Sequence, residues 1–523
     1  MKLSKSRTPH LVRSSFLVFF IFGLDKLTGF VKLLLTTRLF GTGPEIDAFA
    51  TANQLPELLL ALIAAGALSA AFIPVYSGYL TQARRREAES LAGTVLTLTL
   101  IAMGAACFLA ILAAPWLVRV VLAPHFPVET QLLTVQMMRI FLMAAGLISI
   151  SGVLGSVLHS HQHFLTPALG RVLIDLGQIT GMILLVPIWG VYGMAWGSVL
   201  GAALTILVQL PALARQRVRL RLQINLRLEG VREVLRLMGP RIVTLGAFQA
   251  VDLVFIRLAS ALPAGSIAAF HYALLVMLSM PKSLFGAAIS TVIFPTMAEQ
   301  YNVGSGQRLR QTVTHGLRAT WLLLLPAGLG LLVLGRPAVA FLFERGSFGP
   351  ESSALVYLLM AIFSVRLLGE ASYDVLTLTF FAQHNTHVPM WATLGWTVVN
   401  AGLSVLLVGP FGIAGLAWAT SIAGAVLAAT MFGLNLRAGG VDVSMLATTL
   451  RRALASSLGM CGVVLLLHQL RMPPALFILA GASGGGFAFF GIYVLLGGRE
   501  ILTVLGHLRR GLQGGIGLKT QSN

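Results

Sequence analysis

Residues 22–47 read FGLDKLTGFVKLLLTTRLFGTGPEID and carry charged side chains inside an otherwise apolar stretch. Asp25, Lys26, Lys32 and Arg38 fall where membrane hydrocarbon is expected, and Asp47 follows a short glycine turn. A charge at the centre of a membrane-spanning helix costs about 2.5–3.5 kcal/mol on insertion scales, and such residues usually face a wet interior. This stretch therefore predicts one wall of a polar cavity inside a membrane protein.

Apolar segments recur along the whole chain. Of its 523 residues, 56% are hydrophobic and 11% are charged, and the mean hydropathy is +0.85. Runs of about 20 such residues are long enough to cross the hydrocarbon as helices, and they are too long and unbroken for the strands of a membrane barrel. The expected fold is all-α and polytopic, with about fourteen transmembrane helices.

The second half of the chain repeats the first. GVYGMAWGS, which starts at Gly190, aligns with GIAGLAWAT, which starts at Gly412, and Pro167 and Pro389 keep the same offset. Because six spans lie between matching segments, the halves are expected to run parallel, as in transporters built from parallel repeats. The sequence predicts two six-helix lobes around a central cavity, followed by two additional C-terminal helices.

The expected domains are an N-lobe (1–214), a basic cytoplasmic linker (215–236), a C-lobe (237–436), and spans 13 and 14 with a basic tail (437–523). The alternating RVRLRLQINLRLEGVREVLR of the linker suits a segment on an anionic membrane surface. The net charge of +19 collects in loops between spans. Positive-inside topology explains that distribution without a nucleic-acid partner, and it places both termini in the cytoplasm.

The sequence contains none of the common catalytic motifs, so an enzyme is not expected. The HSHQH run at 159–163 lacks a nearby carboxylate or cysteine, and we predict no metal site there. Besides Lys26, Lys32, Arg38 and Asp47, the candidate cavity residues are Asp25, Glu57, Arg139, Asp252, Arg257, Lys282, Arg366, Glu370 and Asp374. The alternative for each is an internally paired structural charge. An excess of cations in the cavity favours an anionic substrate such as a phosphate or pyrophosphate headgroup.

Four motifs carry a resemblance to a known family: DKLTGFVKLLLTTRLFGTGPEIDAF, LPELLLALIAAGALSAAFIPVYSGY, FLFERGSF and FFAQHNTHVPM. They resemble the MurJ (MviN) lipid II flippases of the multidrug/oligosaccharidyl-lipid/polysaccharide exporter superfamily, over nearly the whole chain. The resemblance implies transfer of a polyprenyl-pyrophosphate-linked saccharide, the peptidoglycan precursor lipid II, to the outer leaflet of the bacterial cytoplasmic membrane by alternating access. It also implies that Lys26, Lys32 and Arg38 take the places of family arginines that contact the headgroup, and that Asp47 takes the place of the family's acidic residue.

The chain departs from the family pattern at three places. Leu60 stands where a basic residue is expected, the arginine before Pro281 is missing, and the motif DTR has become Asn385-Thr386-His387. Another polyprenyl-linked oligosaccharide, or a drug or cation exported by a MATE-type antiporter, is the alternative substrate. A cation exporter is expected to have a net acidic cavity. A third hypothesis is a non-transporting scaffold that recruits cell-wall enzymes.

No bound cofactor is expected. Transport requires a difference in contacts between two states, so we expect coupling to the membrane potential, H⁺ or Na⁺. The expected partners are the lipid-linked saccharide, anionic lipids at the linker, and proteins of cell-wall synthesis.

Overall fold

The computed structural model describes residues 8–64, 66–218 and 220–498, and within these ranges the chain forms sixteen α-helices and no β-strand. The all-α prediction is confirmed. The helices are α1 (Thr8–Phe40), α2 (Pro44–Leu59), α3 (Gly66–Thr81), α4 (Arg85–Trp116), α5 (Val128–Ser160), α6 (Leu165–Thr180), α7 (Val186–Trp189), α8 (Tyr192–Arg215), α9 (Glu229–Ala259), α10 (Ser266–Leu274), α11 (Ala287–Asn302), α12 (Gly306–Phe343), α13 (Pro350–Ala382), α14 (His387–Arg437), α15 (Val443–Gln469) and α16 (Pro474–Leu495).

The helices account for the predicted number of spans. Among the described residues, twelve helical stretches are long and apolar enough to cross a membrane. One of them, α14, has 51 residues and non-helical backbone at Gly412, so it supplies two crossings. Helix α1 has 33 residues and lies outside the twelve. With α1 included and α14 counted twice, the total is fourteen. The predicted basic tail beyond residue 498 and residues 1–7 lie outside the described part of the chain.

The chain divides into two compact units. Unit 1 comprises Met1–Phe270, Phe343–Ser352 and Thr397–Leu416. Its largest fully buried side chains include Tyr76 and Phe72, which stack on each other with ring centroids 5.1 Å apart. They belong to an apolar core formed mainly by α3, α4, α5 and the start of α9.

Unit 2 comprises His271–Leu342, Ser353–Trp396 and Ala417–Asn523. Helices α15 and α16 pack together in this unit, and Val464 and Phe477 form a small buried cluster with Leu334. Tyr493 of α16 is fully buried beside Ala453 of α15.

Small residues let α6 and α8 approach closely in unit 1. A Cβ atom added at Gly177 would lie 2.5 Å from the Gly197 carbonyl oxygen, and one added at Gly201 would lie 2.6 Å from the Ile174 Cα. Helix contacts through small residues are common in membranes because lipid offers little hydrophobic drive for association. This packing fixes the position of α6, which carries Asp175.

The basic linker lies along α4. The backbone N–H groups of Gln223 and Asn225 donate to the hydroxyls of Thr97 and Thr94, and the Arg85 guanidinium donates to the Arg217 carbonyl. The predicted linker, residues 215–236, includes the first turns of α9, which begins at Glu229. The linker side chains remain exposed from residue 221 to residue 227.

Candidate functional site

The charged side chains of α1 lie on two different sides of the helix. Lys26 and Lys32 are six residues apart, which rotates one about 120° from the other around an α-helix. Lys26 pairs with the neighbouring Asp25, with Nζ 3.0 Å from Oδ2. The Lys26 side chain is 41% exposed, whereas that of Asp25 is 12% exposed. Lys26 therefore lies on the flank of the helix, with its ammonium group accessible.

Helix α6 supplies the partner of Lys32. The Lys32 Nζ donates to Asp175 Oδ1 at 2.5 Å, and the Thr28 hydroxyl donates to Asp175 Oδ2 at 3.5 Å. Gly29 lies beside this carboxylate, since a Cβ at that position would be in van der Waals contact with Asp175 Oδ2 at 3.5 Å. Thr28, Gly29 and Lys32 thus share the face of α1 that packs on α6, and the Lys32 side chain is 30% exposed.

The acids around this cluster outnumber the lysines. Glu57 of α2 interacts electrostatically with Lys32 and accepts a hydrogen bond from the Asn53 amide at 2.5 Å. Two lysines therefore face Asp25, Asp175 and Glu57. The pairing of Asp175 with Lys32 could not be predicted from the sequence, because the packing of α6 against α1 cannot be read from the residues of α1. A carboxylate within an apolar span is rare, and this was the available signal for Asp175.

Asp47 has a structural role in this geometry. Its carboxylate accepts from the backbone N–H of Gly265 at 2.6 Å and of Ala268 at 2.7 Å, at the N-terminus of α10. The residue is 2% exposed. The unpaired N–H groups at a helix start attract a carboxylate, so Asp47 caps α10 from α2.

Arg38 lies at the C-terminus of α1, and its main chain makes the closest contacts. Its carbonyl oxygen accepts from the Ser347 N–H at 3.0 Å, and the Ser347 hydroxyl donates to the Leu39 carbonyl at 2.9 Å. A Cβ at Gly346 would lie 2.1 Å from the Arg38 carbonyl oxygen. The FERGSF loop therefore satisfies the final carbonyls of α1, while the Arg38 side chain is exposed.

Four of the candidate cavity residues form one ionic cluster in unit 2. The Lys282 Nζ lies 2.9 Å from Glu370 Oε1 and 3.2 Å from Asp374 Oδ2, and the Arg366 Nε lies 2.7 Å from Glu370 Oε2. Gly424 accommodates Arg366, because a Cβ there would lie 3.0 Å from the Arg366 Nε. Spacings of four residues along α13 bring Arg366, Glu370 and Asp374 to one face, as the sequence indicated. Two cations and two anions leave the cluster formally neutral.

The remaining candidates occur separately in unit 1. Arg257 donates to the carbonyls of Val120 and Val121 at 2.5 and 3.0 Å, where the π-helical continuation of α4 ends. Arg139 is on an exposed stripe of α5, and its Nε donates to the Ile111 carbonyl at 3.4 Å. Asp252 is exposed on α9. Within the described part of the chain, the hydrogen bonds of Arg139 and Arg257 go to backbone carbonyls of the α4 segment and not to the cluster around the α1 lysines.

A polytopic helical fold with ion pairs inside its spans is typical of membrane transporters. The structure resembles an inward-facing MATE family transporter of the MOP superfamily, with a TM-score of 0.63, 18% identity, and coverage of 79% of this chain and 94% of that one. It resembles the structure titled lipid II flippase MurJ, inward closed conformation, more closely, with a TM-score of 0.79, 20% identity, and coverage of 94% and 100%.

The family model described as lipid II flippase MurJ matches residues 36–480, and the chain belongs to this family. The lipid II flippase MurJ of Burkholderia cenocepacia is 28% identical over 425 residues, which is 80% of this chain and 82% of the relative. The probable lipid II flippase MurJ of Bdellovibrio bacteriovorus is 28% identical over 457 residues, covering 86% and 85%. The family match begins at Thr36, so it includes Arg38 and Asp47 but starts after Lys26 and Lys32.

Proposed function

We propose that this protein transfers lipid II from the inner to the outer leaflet of the bacterial cytoplasmic membrane by alternating access. Family membership supports the reaction and the substrate class. The observation that carries the site is the pair of lysines in α1, which lie in an apolar helix, are partly exposed and are held by carboxylates.

The lysines bind the pyrophosphate by exchanging partners. An ammonium group has three donors, and the described partners of Lys26 and Lys32 each occupy one. A pyrophosphate brings more charge and more acceptor oxygens than a single carboxylate, so it competes for these donors. Asp25 and Asp175 hold the lysines in place in the empty state and recover them when the headgroup leaves. Exchange of partners therefore explains how the site binds an anion, in place of the excess of cations that the sequence suggested.

The driving force and the orientation are parts of the same proposal. Transport is coupled to the membrane potential or to an H⁺ or Na⁺ gradient, because binding alone cannot favour net movement in one direction. Both termini lie in the cytoplasm, and the arginine-rich linker contacts anionic lipids there. Cell-wall synthesis proteins that consume lipid II at the outer surface are the expected protein partners.

Complementation tests the function. A bacterial strain depleted of its lipid II flippase should grow when it expresses the wild-type chain and should fail, or grow poorly, with Lys26→Ala or Lys32→Ala. Lys26→Arg and Lys32→Arg should retain activity because arginine also binds phosphate. Arg119→Ala is the matched control, since it removes an exposed cation of unit 1 outside this cluster. Protein levels in the membrane must be equal for all variants.

Asp175→Asn separates partner exchange from simple structural pairing. It frees Lys32 from its carboxylate, so lipid II should bind more tightly to the purified variant and be released more slowly. Normal transport by both alanine variants would contradict the site. Failure of the wild-type chain to support growth would contradict the function itself.

A further inference from the structure

A recess in unit 1 combines one arginine with an aromatic surface. It has a volume of about 770 Å³ and is lined by Gln136, Arg139, Ile140, Ile188, Trp189, Tyr192 and Trp196. These residues come from α5, α7 and α8, and the Tyr192 hydroxyl donates to the Gln136 side-chain oxygen. The lining contains no carboxylate.

Arg139 is on the side of α5 that faces away from α2. The exposed residues Leu132, Gln136, Arg139 and Met143 follow one another at spacings of three and four residues, so they form a single stripe. On the opposite face, Phe141 packs edge-to-face on Phe49 of α2, with centroids 4.8 Å apart. The stripe is therefore an outer surface of unit 1.

Most hydrogen-bond donors of the Arg139 guanidinium have no partner among the described residues. Within the described residues, Arg139 makes one hydrogen bond, from Nε to the Ile111 carbonyl at 3.4 Å, and no ion pair. Both terminal nitrogens are left for a ligand. A guanidinium presents its donors in a planar fork that matches phosphate oxygens.

The position of the recess along α5 places it near the membrane–water interface. Helix α5 has 33 residues and is about 50 Å long, so when centred it extends about 10 Å beyond each side of a 30 Å hydrocarbon layer. Arg139 lies eleven residues into α5, about 16 Å from its start, and its side chain reaches back to the boundary. Trp189 and Trp196 are 51% and 36% exposed, as in an interfacial aromatic belt.

We propose that this recess binds a glycerophospholipid of the membrane through its phosphate. Arg139 contacts the phosphate oxygens, and Ile188, Trp189 and Trp196 contact the glycerol backbone and the upper acyl chains. The two loops that flank the recess, residues 123–127 and 190–191, carry no lysine or arginine, whereas Arg84, Arg85 and Arg86 lie at the opposite end of α4. The lipid therefore belongs to the outer leaflet by the positive-inside rule. The inference does not depend on the transported substrate.

Native mass spectrometry of the full-length protein tests the site. Dioleoylphosphatidylglycerol and dioleoylphosphatidylethanolamine should both bind to the wild type, and dioleoylglycerol, which has no phosphate, should bind at least tenfold more weakly. Arg139→Gln should weaken binding of both phospholipids about tenfold, which is the loss of one charge-assisted contact. Arg139→Lys should retain part of the affinity. Trp189→Phe should weaken binding about twofold while retaining an apolar side chain.

Arg119→Gln is the matched control, because it removes the same charge near the same end of unit 1 but outside the recess. Equal losses in Arg139→Gln and Arg119→Gln would show only a general charge effect and would overturn the proposal. Equal binding of dioleoylglycerol would overturn phosphate recognition. Displacement of both phospholipids by undecaprenyl phosphate at a tenfold lower concentration would assign the recess to the carrier lipid instead. Unchanged thermal-unfolding midpoints confirm that the variants are folded.

Discussion

Asp47 and Asp175 are both buried acids of unit 1, but their partners differ in kind. Asp175 binds a lysine side chain, which a charged ligand can displace. Asp47 binds two backbone N–H groups at the start of α10, which have no other partner within their own helix. A substitution at Asp47 should therefore act on stability, whereas one at Asp175 should act on ligand exchange.

Asp47→Asn should lower the free energy of unfolding by about 1–3 kcal/mol, because a charged acceptor is lost and an amide NH₂ faces backbone donors. Glu45→Gln is the control, since Glu45 is exposed in the same first turn of α2. Thermal unfolding in detergent measures both. If the Asp47→Asn protein unfolds like the wild type but loses lipid II binding, Asp47 acts in headgroup binding and not in stability.

The ionic cluster of unit 2 gives a second prediction. Glu370→Gln leaves the guanidinium of Arg366, whose side chain is 14% exposed, without its carboxylate. Breaking one side of a buried ion pair costs about 3–5 kcal/mol, so this variant should unfold more readily. Asp374→Asn should have a smaller effect, because Lys282 keeps Glu370 and the Asp374 side chain is 30% exposed.

Unfolding by denaturant in detergent measures these differences. A double variant, Arg366→Met with Glu370→Gln, should regain part of the lost stability, since it removes the uncompensated charge as well. If the double variant is less stable than Glu370→Gln alone, Arg366 makes a stabilising contact besides Glu370.

The sequence predicted which charged side chains are neighbours where all of them belong to one helix. Arg366, Glu370 and Asp374 share a face of α13 because helical periodicity determines it. The partner of Lys32 and the role of Asp47 depend on how α6 and α10 pack in three dimensions. Spacing within one helix contains no information about such contacts, so the charge balance of the site could not be predicted.

At the scale of elements, the repeat extends to unusual backbone conformations. Gly190 has φ 57° and ψ −144°, and Gly412, its partner in the sequence alignment, has φ 56° and ψ −134°. Gln162 and His384, also 222 positions apart, have φ values of 60° and 57°. The next residues, His163 and Asn385, donate to the carbonyls of Leu158 and Phe380 at 2.9 Å. Matching helix ends therefore use the same turn in both halves.

Alanine at either glycine tests this equivalence. The conformation of Gly190 and Gly412 is almost inaccessible to residues with a Cβ, so Gly190→Ala and Gly412→Ala should each cost about 1–3 kcal/mol of stability. Gly409→Ala should be neutral or slightly stabilising, because a Cβ there meets no atom within 4 Å. Thermal unfolding of the three variants measures the effect. A tolerated alanine at one of the two positions would show that the two turns are not equivalent.

For the whole molecule, the span count was predictable because hydrocarbon thickness sets the length of each apolar run. The break at Gly412 is also visible in sequence as a glycine after Pro410, within a run too long for one crossing. Orientation follows from a different signal, the distribution of arginine between loops. It predicts that residues 82 and 303 lie on the cytoplasmic side and that residue 125 lies outside.

Single-cysteine labelling tests that orientation. In a chain with Cys107→Ala and Cys461→Ala, we expect His125→Cys to react with a membrane-impermeant maleimide in intact spheroplasts. Gln82→Cys and Val303→Cys should react only after the membrane is permeabilised, because an even number of spans separates these two loops. All three positions are exposed, so access to solvent does not distinguish them. Labelling of Val303→Cys but not Gln82→Cys in intact spheroplasts would mean an odd number of crossings between them, and the parallel repeat would then be wrong.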